Sequence, residues 1–261
     1  MMRDNHLYEK RGNRYLSEAK DLTYILGTQC KDGIVLVGDK RVSRGYGAYE
    51  YEDKIFSDVP GVVIGASGVV GLFDKFRDEI SSVARANPSM AREDFVREAE
   101  KIVFKLNTEY AERTRARTID LLVAYGRLRI GRLLYITPRG LGEVVRRYRV
   151  IGSGEPYGAY LIKKSWRSDL TMKQAAVLGS LVIKHIEENE LDEAVGLDKG
   201  GDPQIWFNPD WPPEDDYNKL DDTQKAALQT RQATKDELGE IKKKTEELYP
   251  KIGESLSTIA F

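Results

Sequence analysis

Thr23 and Asp39 stand at the outer ends of a stretch that reads as a β-hairpin. The run Thr23 to Cys30 is apolar and β-prone, Lys31-Asp32-Gly33 is a turn, and Ile34 to Gly38 returns to the cluster Asp39-Lys40-Arg41. Pairing the two runs brings a hydroxyl and a carboxylate to one rim, which is the start of a site with a nucleophile and an orienting acid. A threonine hydroxyl attacks an amide only if a base takes its proton. A threonine at a new chain start carries that base itself, because its α-amino group has an ordinary pKa of about 7.7–8. Such chemistry needs no histidine, and the chain has only His6 and His185, far apart in sequence. In the other reading, Thr23 is an ordinary strand residue.

The elements that would position this rim follow from hydrophobic periodicity. Strands are expected at about 23–30, 34–40, 53–57 and 61–66, with a Gly/Tyr-rich loop at 43–50. Two helices come next. Leu72, Phe73, Phe76, Ile80 and Val83 recur at helical spacing over about 69–85, and Phe95, Ala99, Ile102, Val103, Leu106 and Tyr110 do so over about 90–112. Strands return at about 118–126, 128–137 and 142–149. Helices at about 155–165 and 171–189 and a strand near 203–207 complete the pattern. Strands, two helices, strands, two helices and a strand suit an α+β fold in which two antiparallel sheets face each other with a helix pair outside each, a four-layer αββα sandwich.

The hairpin with its Lys31-Asp32-Gly33 turn and Asp39-Lys40-Arg41 end is one of four stretches that resemble the proteasome family of N-terminal nucleophile hydrolases. The others are Tyr51-Glu52-Asp53-Lys54-Ile55-Phe56, Ile64-Gly65-Ala66-Ser67-Gly68 and Val150-Ile151-Gly152-Ser153-Gly154, and all come in the family's order between residue 23 and about 209. The resemblance implies the αββα fold of that family and a peptidase site. It would make Thr23 the nucleophile, with Lys54 placing positive charge beside it and Asp39 orienting Lys54. The Gly68 amide would donate to the oxyanion, and Ser153 would hydrogen-bond the Thr23 amine. Asp198 would stand where the family has a late Asp-x-x-Ser, although no serine follows in Lys199-Gly200-Gly201. Val42, Ala66 and Val70 would line the pocket for the residue before the scissile bond.

The same residues have structural readings. Asp39 and Lys54 can be a buried ion couple, which noncatalytic α-type subunits of the family also keep. Gly68 can serve a strand-to-helix turn and Ser153 can cap the following helix. Leu22 stands where β-type precursors carry glycine, and residues 1–22 lack the α-type opening motifs.

Three regions are expected: a leader or N-terminal extension at 1–22, the proteasome-like domain at 23–209, and a charged helical tail at 210–261. The tail opens on a Pro/Asp break at 209–216, and its seam Leu238, Ile241, Thr245 and Leu248 suits docking on the core or on a neighbour. The resemblance implies partners that are copies of the chain or related subunits in a ring, and a peptide or unfolded-protein substrate.

Composition narrows the classes. The 261 residues are 41% hydrophobic and 32% charged, with formal net charge −1, which suits a globular chain and gives no overall pull toward nucleic acid. Ten arginines between Arg113 and Arg149 have few aromatics interleaved among them, so they read as solvated strand faces or subunit salt bridges. No apolar run approaches the roughly 20 residues of a membrane span. No membrane partner, metal or cofactor is expected, and the chain should be cytoplasmic. Cys30, the single cysteine, cannot form an internal disulfide or a cysteine cluster for zinc and reads as a small core residue.

Overall fold

A computed structural model describes residues 23–257 except 44–48, 60, 89, 115–117, 128–129, 194, 198, 211–215, 217, 222–224 and 226–227. The expected leader or N-terminal extension at 1–22, Asp198, and most of the 43–50 loop and of the Pro/Asp break lie outside the described residues.

The hairpin of β1 (Ile25–Cys30) and β2 (Gly33–Gly38) pairs in register from Ile25 opposite Gly38 to Cys30 opposite Gly33. Thr23 lies just ahead of the ladder. Short strands β3 (Arg41–Ser43) and β4 (Tyr49–Tyr51) pair with each other on either side of the expected loop. They are followed by β5 (Ile55–Val59) and β6 (Val62–Gly68), then α1 (Val70–Ala86) and α2 (Arg92–Glu109). Next come β7 (Ile119–Arg127), β8 (Ile130–Ile136), β9 (Gly142–Val145) and β10 (Tyr148–Ile151). Helices α3 (Glu155–Ser165) and α4 (Met172–Glu188), strands β11 (Gln204–Pro209) and β12 (Arg231–Gln232), and α5 (Lys235–Ser257) end the described chain.

Apart from β3 and β4, the ten other strands form two five-stranded antiparallel sheets, β10-β1-β2-β11-β12 and β5-β6-β7-β8-β9. Alternation along each strand divides the core into three layers. Ile25, Ile34, Leu36, Val63, Leu122, Ala124 and Leu133 fill the space between the sheets. Val62, Ile64, Ala66, Leu121 and Val123 turn the other way, onto Leu72, Phe76 and Ile80 of α1 and Ala99, Val103 and Leu106 of α2. On the opposite side Tyr24, Leu26, Val35 and Val37 meet Ile162 of α3 and Ala175, Ala176, Val182, Ile183 and Ile186 of α4. The fold is therefore the expected α+β sandwich, helix pair, sheet, sheet, helix pair.

Two expectations needed correction. The strand placed at 142–149 is two strands in different sheets: β9 pairs with β8, and β10 pairs with β1. The chain crosses between sheets at Arg146-Arg147, where Arg147 C=O accepts the Gln29 N–H at 2.8 Å and its guanidinium lies 5.7 Å from the Trp166 ring centroid. The tail also contributes a strand, β12, whose Arg231 and Gln232 pair with Phe207 and Trp206.

The seam of α5 docks on the core. Ile241 and Thr245 are buried, and Leu238 packs against the α3/α4 side. Cys30 is half-buried, and burial, with the nearby Asp32 and Asp210 charges, pushes its thiol up to about 12, which suits a core residue. No helix among the described residues is long and apolar enough to cross a membrane.

Candidate active site

Asp39 leaves the end of β2 into a position with no solvent exposure. Its Oδ1 accepts the Tyr24 N–H at 2.7 Å, and its Oδ2 faces the Gly196 N–H at 3.5 Å. The Tyr24 carbonyl in turn accepts the Asp39 N–H at 3.0 Å. The first residue after Thr23 is thereby bonded to Asp39 through both main-chain groups. Opposite it, Lys54 enters from the start of β5 and donates through Nζ to Asp39 Oδ1 at 2.9 Å, Asp39 Oδ2 at 2.8 Å and the Arg41 carbonyl at 2.5 Å. Burial pushes the Asp39 carboxyl up and the Lys54 ammonium down, while the attraction between the two opposes both shifts.

Thr23 is itself buried, and its N–H donates to Ser153 Oγ at 3.3 Å. The turn after β10 fits around it. Gly154 N–H donates to Thr23 C=O at 3.2 Å, and Gly152 has φ +98°, with a hypothetical Cβ only 2.0 Å from that same oxygen. Glycine is required there on both counts. Ser153 forms no side-chain cap of α3, whose N-cap is Gly154.

Gly68 closes β6 at φ +117°, with Thr118 C=O where a Cβ would be. The β6 end is tied to Lys54 through Ala66 N–H, which donates to the Lys54 carbonyl at 3.0 Å. Ala66 and Val42 are buried, Val42 following Arg41 in β3, and Val70 is the half-buried first residue of α1. Thr23 and Ser153 are thus bonded to each other and Asp39 and Lys54 to each other, the two pairs meeting through Tyr24, the residue after Thr23, and Ala66 joins Lys54 by one main-chain bond. Gly68, Val42 and Val70 flank that group in sequence, and Asp198 lies outside the described residues. A depression lined by Asn87, Met90, Asp94, Arg97, Glu98 and Lys101 is on the outer helix layer and includes none of these groups.

Arg41 escaped the reading by residue type. Besides its carbonyl on Lys54, its guanidinium donates to the carbonyls of Glu193 at 3.3 Å and Val195 at 3.5 Å and pairs with Glu187. Glu187 Oε2 faces the Leu197 N–H at 3.4 Å, so Arg41 and Glu187 together fasten the segment leading to Asp198. The only signal was position, directly after Asp39-Lys40.

Against known proteins, the family model described as "Proteasome subunit" matches residues 22–198. Proteasome subunit beta 1 of Pyrobaculum calidifontis is 28% identical over 193 residues, covering 68% of this chain and 88% of that one. Proteasome subunit alpha of Methanococcus maripaludis is 25% identical over 184 residues, covering 68% and 71%. In fold, the chain resembles Anbu, described as an ancestral beta-subunit, from Yersinia bercovieri, with TM-score 0.63, 16% identity and coverage of 91% of this chain and 96% of that one.

Proposed function

The chain belongs to the proteasome family, and from that premise we propose that it is a threonine-type peptidase with Thr23 as nucleophile once residues 1–22 are removed. The observation that carries this reading is the bonding of Thr23 N to Ser153 together with the buried Asp39–Lys54 pair fastened to Tyr24. The nitrogen that faces Ser153 Oγ as an amide would become the free amine on cleavage before Thr23. That amine takes the Oγ proton as Oγ attacks the peptide carbonyl carbon, and Lys54 supplies positive charge near the developing alkoxide. The tetrahedral oxyanion is received by the Gly68 amide, a donor of a kind whose loss costs about 3–4 kcal/mol. Collapse releases the amine half of the substrate with the proton, and water then hydrolyses the Thr23 ester. Val42, Ala66 and Val70 line the pocket, and Asp198 completes the site. The unit 23–209 works within a ring of its own copies or related subunits on peptide or unfolded-protein substrates.

A second reading is a noncatalytic ring subunit, supported by Leu22 before Thr23 and by the similarity to an alpha subunit. Denaturing mass spectrometry of the assembled protein separates the two. Loss of residues 1–22, with Thr23→Ala abolishing cleavage of fluorogenic peptides, is the outcome expected of the peptidase. A stable full-length assembly, or equal cleavage by Thr23→Ala and parent, would overturn that reading.

A further inference from the structure

We infer that Gln204 is a positioning residue for Lys54, acting as a one-residue surrogate for the strand that β5 lacks on its free edge. Among the described residues β5 is the terminal strand of its sheet, paired only with β6. An edge strand leaves main-chain donors and acceptors without a partner, and burying them unsatisfied is costly. Here they are satisfied from the other sheet. Gln204, the first residue of β11, is 1% exposed. Its side-chain oxygen accepts the N–H groups of Lys54 and Ile55, each at 2.8 Å, and its side-chain amide donates to the Ile55 carbonyl at 2.5 Å.

A carboxamide is the side chain that supplies an acceptor and a donor from one planar group, as a neighbouring peptide unit does. Gln204 is also opposite Gly38 in the β2–β11 ladder, one residue before Asp39. One side chain therefore fixes the distance between the strand end that carries Asp39 and the strand start that carries Lys54. Hydrophobic packing between two sheets does not set that spacing to the few tenths of an ångström an ion pair needs, whereas three hydrogen bonds do.

The role in turnover rests on the peptidase reading, but the clamp itself is tested separately. In the intact parent assembly, hydrogen exchange at Lys54 and Ile55 should be slow despite their edge position. In Gln204→Met, which removes all three bonds at similar length, both amides should exchange at least tenfold faster than in the parent, with Leu36 and Val37 unchanged. In protein labelled with 13Cε-lysine, the Lys54 titration should move up toward the ordinary lysine range as water reaches it. Gln204→Glu keeps the acceptor, and when protonated the donor as well, so its exchange should return toward the parent's as pH falls. For an active parent, Gln204→Met should lower kcat at least tenfold and leave KM within about twofold. Fast exchange at Lys54 and Ile55 in the parent, or an unchanged Lys54 titration in a folded variant, would overturn the inference. A parent that cleaves no peptide counts against the peptidase reading alone, and the exchange and titration measurements still decide the clamp. If Gln204→Met fails to assemble, Gln204→Glu and the parent carry the test.

Discussion

Lys54 Nζ bridges both carboxylate oxygens of Asp39, at 2.9 and 2.8 Å, in a position where Asp39 has no exposure and Lys54 is 6% exposed. A pair this deep has lost most of its hydration, so each charge depends on the other. Lys54→Met leaves an unpaired buried carboxylate and should destabilise the protein by about 3–5 kcal/mol. Asp39→Asn still offers an oxygen to the Tyr24 N–H but strands the ammonium, and should cost a similar amount. The double variant Asp39→Asn/Lys54→Met removes both charges and should recover most of that loss. Denaturant unfolding of the four proteins measures the coupling, and additive losses would contradict it. Under the proposed function all three variants lack turnover, including the stable one.

Asp120 makes the protein's stability depend on pH. It accepts the Tyr135 hydroxyl at 3.0 Å, and Arg149 lies 4.4 Å from the Tyr135 ring centroid. Burial, with the Glu155 charge adding to it, raises Asp120 from 3.8 to about 6, against the opposing hydrogen bond from Tyr135 and the charge of Arg149. The folded state then holds a proton that the unfolded chain releases near pH 4, so stability falls as pH rises from about 4 to 6 and stays lower above that window. A rise from 3.8 to about 6 is worth up to about 3 kcal/mol. Asp120→Asn should therefore be close to the parent in stability at pH 4 and more stable by about 1–3 kcal/mol at pH 7.5. Unfolding curves at the two pH values decide it, and equal gaps at both would contradict the account.

The tail helix should behave as part of the core. Ile241 is 2% exposed on the face of α5 that meets the α3/α4 layer, and Arg231 pairs with Glu237 through bonds of 2.6 and 2.8 Å where the tail returns. Ile241→Ala should cost about 2–4 kcal/mol and expose 235–251 to limited proteolysis. Proteolysis as slow as the parent's would show that the seam contributes nothing.

The layers were legible because burial repeats locally: Val62, Ile64 and Ala66 alternate with Val63, and Phe76 and Ile80 share a helix face. Thr23, Asp39, Lys54 and Ser153 were singled out by motif order, and the structure brings Thr23 onto Ser153 and Lys54 onto Asp39, with Asp39 held by Tyr24. The crossing at Arg146-Arg147 was not, since a strand's residues say that it pairs but not with which sheet. Gln204 was also illegible. A glutamine near a strand start looks exposed until a second sheet brings the Lys54 and Ile55 amides to it.

Two glycines should respond oppositely to the same substitution. Gly71 is in α1 with nothing within 4 Å of an added Cβ, so Gly71→Ala should stabilise the helix by about 0.5–1 kcal/mol. Gly152 has φ +98°, and its added Cβ would be 2.0 Å from Thr23 C=O and 3.1 Å from Thr23 Cβ. The obstruction is main chain, with no flexible side-chain end to swing away, so Gly152→Ala must push Thr23 from its place or shift the turn that carries Ser153. The direct casualty is the 3.3 Å bond from Thr23 N–H to Ser153 Oγ. Gly152→Ala should therefore lower the melting temperature and, under the proposed function, slow removal of residues 1–22 as well as peptide cleavage, whereas Gly71→Ala raises the former and leaves the latter two unchanged. Thermal unfolding and intact mass on both variants check the contrast. A Gly152→Ala protein with the parent's melting temperature and processing would mean that the turn does not fix the position of Thr23.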